Sequence, residues 1–201
     1  MLKTRVLVDE MNVIYQLHRL NVEGFFHWNY FYKTIENLIG GPSEAHYFCA
    51  NVNNSRATRN VHQKRKDFFN GLRRNGIQVH EGFTVLDSNK RRLEKGVDVL
   101  IAMEIYKSSL ARASDIIVCS GDSDLIPAIK EAQNNGSRVH IVVSDHFPAR
   151  EICEMADSII PLETILSILA KQEKLKWKDK TKPFIYSIHQ NYNEVRKGLV
   201  V

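Results

Sequence analysis

Residues 115–143, DIIVCSGDSDLIPAIKEAQNNGSRVHIVV, decide the fold. Asp115–Cys119 is an apolar run of strand length, and Ser120-Gly121 supplies a turn. Ser123–Asn135 reads as a helix capped by Asp122 or Ser123, with Pro127 tolerated because it falls near the start. Gly136 ends that helix, and Arg138–Val143 is a second apolar run. Strand, helix and strand in so short a span predict a parallel pair joined by a right-handed crossover.

The alternation extends in both directions. Upstream, Arg5–Asp9 (RVLVD) predicts a first strand, Asn29–Ile39 a helix stopped by Gly40-Gly41-Pro42, and Glu44–Ala50 a second strand. Arg56–Asn75 predicts a long helix with Phe68, Phe69 and Leu72 on its buried side, followed by a strand at Ile77–His80. Phe83–Arg92 suits a hairpin around Asp87-Ser88-Asn89, and Val97–Ala113 suits a helix. Downstream, Pro148–Met155 is a short helix, Ser158–Pro161 an edge strand and Glu163–Lys171 a final helix. The expected architecture is a three-layer α/β domain, a parallel sheet with helices on both faces.

At 201 residues the chain suits one generous domain with an appendage. No apolar run approaches the roughly 20 residues of a membrane span, and the N-terminus enters a strand pattern with no small-residue cleavage site, so neither membrane nor secretion is expected. Cys49, Cys119 and Cys153 are an odd, widely spaced set, as expected of thiols in a reducing cytosol. Residues 1–170 hold 20 Lys+Arg and 20 Asp+Glu, whereas residues 171–201 hold 8 against 3. The whole net charge of +5 thus falls in the tail, which divides the chain into a domain over 1–170 and a basic extension over 171–201, with Lys171–Pro183 as linker.

Four aspartates stand where strands end or helices begin. Asp9 closes the first strand, Asp98 lies in a first helical turn after Gly96, and Asp122 and Asp124 flank Ser123. In a parallel sheet those positions gather along one crevice. Asp98 heads an apolar stripe continued by Ile101, Ala102 and Ile105, so it points toward the sheet and not to solvent. One acid is enough to cap the helix after residue 122, and two exceed that need. Carboxylates crowded without matching cations repel one another, and a divalent ion relieves the repulsion. Asn12 can hold a phosphate or a water beside such an ion, Ser120 can hydrogen-bond a carboxylate, and Lys95 can meet a phosphate. The eight histidines lack HxxxH or HxxEH spacing, no GxxxxGK[ST] loop exists, and Ser120 has no evident basic partner. Zinc, triphosphatase and nucleophilic-triad chemistry are therefore not expected.

VDEMN at 8–12, KGVDV at 95–99 and CSGDSDLIPAIKEAQNNG at 119–136, with RVHIVVSD at 138–145 and EICEMADSIIPL at 151–162, resemble the NYN-domain family of PIN-like ribonucleases. The resemblance spans residues 5–165. It implies a Rossmann-like, PIN-like fold and RNA cleavage with Mg²⁺ or Mn²⁺ held by Asp9, Asp98, Asp122 and Asp124, supported by Asn12 and Ser120. Glu10 departs from the small residue many relatives carry there, and is expected to face solvent. Water attack on phosphorus would leave 5′-phosphate and 3′-hydroxyl ends.

Arg56, Arg59, Lys64, Arg65, Lys66, Arg73 and Arg74 share one predicted helix and suit either a phosphate track or a solvated face. Trp177, Phe184, Tyr186 and Tyr192 interleave with tail lysines, a pattern for stacking on single-stranded RNA or for a small packed element. A homo-oligomer is left open. Two other functions compete: a non-catalytic RNA-binding or assembly module, and a dehalogenase-like phosphatase. The second normally needs an aspartate two residues after the first, where this chain has Met11.

Overall fold

A computed structural model describes residues 4–52, 58–89, 92–146 and 149–178. Arg56, Phe184, Tyr186 and Tyr192 lie outside the described residues. In chain order the elements are β1 (Thr4–Asp9), α1 (Glu10–Arg19), β2 (Val22–Phe25), α2 (Trp28–Ile39), β3 (Ser43–Asn51), α3 (Arg59–Arg74), β4 (Gln78–Leu86) and β5 (Arg92–Lys95). They continue with α4 (Val97–Leu110), β6 (Asp115–Cys119), a 3-10 turn (Ser123–Leu125), α5 (Ile126–Asn134), β7 (Arg138–Val143), α6 (Arg150–Met155), β8 (Ser158–Pro161), α7 (Leu162–Lys171) and β9 (Leu175–Trp177).

Seven strands form one sheet in the order β5-β4-β3-β1-β6-β7-β8, all parallel except β5, which returns antiparallel to β4. The chain builds outward from β1 to one side, then restarts at β6 on the other. Between β1 and β6 the strand order reverses, the place where open α/β sheets bind ligands.

Alternate residues of each central strand feed different cores, as the period of two requires. Val6, Val8, Tyr47, Cys49, Ile117 and Cys119 pack among Val13, Leu17, Phe31, Phe69 and Ile165 of the helices α1, α2, α3 and α7. Leu7, Phe48, Ile116 and Val118 pack among Ile101, Ile105, Ile129 and Ile152 of α4, α5 and α6. This is the three-layer α/β fold expected. Three free thiols remain, Cys49 and Cys119 fully buried.

Several expectations shift. The run after Asp9 is a helix whose N-cap is Asp9 itself. The strand expected at Ile77–His80 continues to Leu86, because its second half gains a partner in β5. Phe68 is 37% exposed while Phe69 and Leu72 are buried. Within the expected linker, Leu175–Trp177 pairs antiparallel with β2, and Leu175 joins the core.

Candidate active site

The carboxyl edge of the sheet at the β1/β6 reversal holds a cleft of about 370 Å³ lined by Asp9, Asn12, Glu94, Val97, Asp98 and Asp122. Three elements deliver the acids: the end of β1, the first turn of α4 and the turn after β6. A larger groove of about 490 Å³, among Lys33, Glu36, Ser43 and Gln78, lies at the opposite, amino edge of the strands and has no such set of acids.

Asp9 is 6% exposed and doubly held. Its Oδ1 accepts from the Asn12 backbone N–H at 3.1 Å, and its Oδ2 accepts from Ser120 Oγ at 3.0 Å. Ser120 Oγ in turn accepts from the Asp122 N–H at 3.2 Å. Asn12 Oδ1 accepts from the Gly121 N–H at 3.0 Å and from Gln16 Nε2 at 2.8 Å. The turn after β6 is thereby bolted to the start of α1. Gly121 fits closely there, since a Cβ would stand 3.1 Å from Ala149 Cβ. The relay continues through the fold: Gln16 Oε1 accepts from the Ser144 N–H at 2.7 Å, and Ser144 Oγ donates to the buried Glu163 of α7.

The acids feel one another. Burial pushes the Asp9 carboxyl up to about 6, and the charges of Asp98 and Asp122 add to the rise, against the two hydrogen bonds. Partial burial, then Asp122 and Asp124, raise Asp98. Glu94 rises to about 7 through burial and the charge of Glu10, with Asp9 and Asp98 contributing. The residue as a whole is exposed on its edge strand, but its side chain lines the cleft. Among the described residues, no lysine or arginine lines the cleft beside these acids. A set of hard oxygen donors, one deeply buried, suits a hard divalent cation.

The structure thus brings Asp9, Asp98, Asp122 and Asn12 to one cleft. Asp124 is exposed outside its lining; its backbone N–H donates to Asp122 Oδ1 at 2.9 Å, making Asp122 the cap. Lys95 is exposed beside the cleft, and Ser120 is fully buried behind Asp9. Among the described residues, three ligand atoms within 4.8 Å of one another occur only for His46, His80 and Glu104. None of those three lines the cleft, and Arg5 donates to Glu104 at 3.1 Å. The cleft aspartates do not form a set that tight.

Glu94 was missed at the level of sequence. Its side follows from the register Thr84↔Glu94 between β4 and β5, which no local pattern reveals. Gly82 makes that register possible, because a Cβ there would fall 2.6 Å from Lys95 O and 2.9 Å from Val97 Cγ2. Glu10 corrects an expectation: it is 2% exposed, not solvent-facing. Arg65 Nη1 donates to Glu10 Oε1 at 2.9 Å with Nη2 on Oε2, and Tyr47 Oη also donates to Oε1 at 2.9 Å. Arg65 Nη2 reaches Ala50 O at 2.8 Å as well. Burial opposes its charge, yet the Glu10 bonds outweigh that and hold Arg65 protonated. Arg65 therefore leaves the basic face, on which Arg59, Lys64, Lys66, Arg73 and Arg74 remain exposed.

A family model for the NYN domain matches residues 3–163. The chain belongs to the NYN domain family. This PIN-like nuclease family accounts for the seven-stranded, mostly parallel sheet. A similar fold occurs in the crystal structure of a Vibrio parahaemolyticus protein of unknown function, VPA0982. That protein is similar with a TM-score of 0.60 and 17% identity, over 80% of this chain and 92% of that one. No curated protein matches the chain.

Proposed function

We propose that this NYN domain is a metal-dependent ribonuclease hydrolysing RNA phosphodiester bonds. One observation carries the reading: Asp9, Asp98 and Asp122, from three separate elements, line one cleft, where the charge of Asp122 helps to raise the carboxyls of Asp9 and Asp98. Family membership supports nuclease chemistry.

Asp9, Asp98 and Asp122 would hold Mg²⁺ or Mn²⁺, with Asp124 at the rim. When bound, such an ion lowers the pKa of a water and offsets charge on the phosphoryl group. The chain's own residues do the rest. Ser120 and the Asn12 N–H fix the Asp9 carboxylate, and Gly121 and Gln16 fix the Asn12 amide beside it. Glu94 adds negative charge and a proton acceptor to the same wall. Lys95 and the exposed cations of α3 would take the RNA backbone, whose phosphates dominate affinity. The substrate is single-stranded RNA, the catalytic domain is 1–170, and the basic extension 171–201 assists binding. A cytoplasmic setting fits three free cysteines, and among the described residues no helix is long and apolar enough to cross a membrane.

The wide spacing of the aspartates favours a second reading, a non-catalytic RNA-binding or assembly module. Incubation with single-stranded and structured RNA in Mn²⁺, Mg²⁺ or chelator separates the two. Divalent-dependent cutting to 5′-phosphate ends, abolished in Asp98→Asn and Asp122→Asn, is the expected result. RNA binding without cutting in either ion establishes the second reading.

A further inference from the structure

Besides its carboxylates and Asn12, the acid cleft is lined by Met11, Tyr15 and Val97. Holding an ion gives these apolar groups no task. Met11 is 50% and Tyr15 60% exposed, and both stand on α1. The buried face of that helix is spent on Val13, Gln16 and Leu17. Met11, Tyr15 and Arg19 recur at steps of four on an exposed face. Arg19 Nη1 donates to Tyr15 Oη at 3.4 Å, and its guanidinium carbon lies 5.6 Å from the ring centroid. The ring is thereby steadied from its own helix and still meets solvent.

Exposed apolar side chains scattered singly are ordinary. Two of them lining a cleft that holds four acids are a different matter. Asp9, Glu94, Asp98 and Asp122 repel a phosphate strand, and among the described residues no lysine or arginine lines the cleft to offset them. An ion at the aspartates can hold one phosphate. The nucleotide beside it has to be held by something uncharged, and Met11 and Tyr15 are the large uncharged groups that α1 brings there.

We propose that Tyr15, with Met11, is a subsite for an unpaired nucleobase next to the phosphate in the acid cleft. The placement of that phosphate rests on the proposed nuclease chemistry; the contact to the base does not. Along the helix axis Met11 stands about 3 Å and Tyr15 about 9 Å from the Asp9 cap. A strand advances ~3.4 Å per nucleotide or more, so this reach covers the nearest neighbours of the scissile phosphate. A flat phenol ring stacks on any base, and the polarisable thioether of Met11 packs beside it. Bases in a duplex are already stacked on one another and cannot reach the ring. The subsite therefore selects single strands without reading their sequence. Arg19, one turn beyond Tyr15, orients the ring and brings a positive charge toward the next phosphate.

Fluorescence anisotropy with a labelled oligouridylate, and with an abasic strand of equal length, tests this at one fixed salt concentration. The full chain is used in the Asp122→Asn background, so that the strand stays whole. Adding Tyr15→Ala should weaken binding of the oligouridylate about 10- to 100-fold, with unchanged far-UV circular dichroism. Adding Tyr15→Phe should preserve the affinity, since stacking needs the ring and not the hydroxyl. The abasic strand should bind equally well with and without Tyr15→Ala. An oligouridylate affinity that Tyr15→Ala leaves unmoved, or an equal loss on the abasic strand, overturns the proposal. So does a chain that binds no RNA with Tyr15 in place. A base-dependent loss in a protein that never cuts RNA removes the nuclease reading and leaves the subsite standing. RNA cutting by the parent chain, with no effect of Tyr15→Ala on binding, does the reverse.

Discussion

Replacing Asp9 by Asn tests whether the cleft stores electrostatic strain. The amide keeps an oxygen for the Asn12 N–H and offers Ser120 a polar partner, so the cap of α1 and the tie to β6 survive. What disappears is a carboxyl lifted from 3.8 to about 6 by burial and by Asp98 and Asp122. A raised acid contributes stability below its unfolded value and loses it as pH climbs through the folded value. Between pH 5 and pH 7.5 that loss amounts to about 1.4 kcal/mol for a shift of this size. His46, lowered to about 4 chiefly by burial, gains stability over part of the same window, so the parent chain alone does not isolate the effect. The difference between variant and parent removes His46, which is common to both, and leaves the Asp9 carboxyl together with the part of the Glu94 rise that its charge supplies. In chelator, the melting temperature of Asp9→Asn relative to the parent should therefore rise by about 3–6 °C on going from pH 5 to pH 7.5. Calorimetry at the two pH values measures it. Mn²⁺ should raise the melting point of the parent at pH 7.5 and leave the variant almost unmoved. A difference independent of pH, or an equal response of both chains to Mn²⁺, refutes the reasoning.

Further predictions follow from packing and pairing. Gly82→Ala forces a Cβ to within 2.6 Å of Lys95 O and should cost about 1–3 kcal/mol, read by urea unfolding; it should also weaken divalent binding by displacing Glu94 and Asp98. Arg65→Ala strands the Glu10 carboxylate in the core and should cost about 3–5 kcal/mol, and adding Glu10→Gln should recover a large part. Asp124→Asn should retain far more RNA cleavage than Asp122→Asn at equal protein and Mn²⁺, because the Asp124 side chain is exposed outside the cleft lining and its tie to the cap is a backbone N–H that asparagine keeps.

Apolar patterning made most of the sheet legible. Asp115–Cys119, Arg138–Val143 and Ser158–Pro161 are strands of the bounds expected, since buried parallel strands are nearly continuous apolar runs bracketed by turns. Helix α1 escaped because Asp9 is both the last residue of a strand and the cap of a helix, leaving no loop between them. The acids at positions 9, 98 and 122 were legible because chain order and parallel topology alone bring them to one edge. Glu94 was not, because β5 is antiparallel and its facing depends on pairing with Thr84. Arg65 carried no local sign of its inward turn; only contact with Glu10, 55 residues away, distinguishes it from its cationic neighbours.

Asp9 terminates a strand, seeds a helix through its cap and contributes charge to a buried wall. Asparagine reproduces the first two duties and abandons the third, whereas alanine abandons the cap as well. Under the proposed chemistry, Asn in that place would keep the shape and remove the charge that holds the ion.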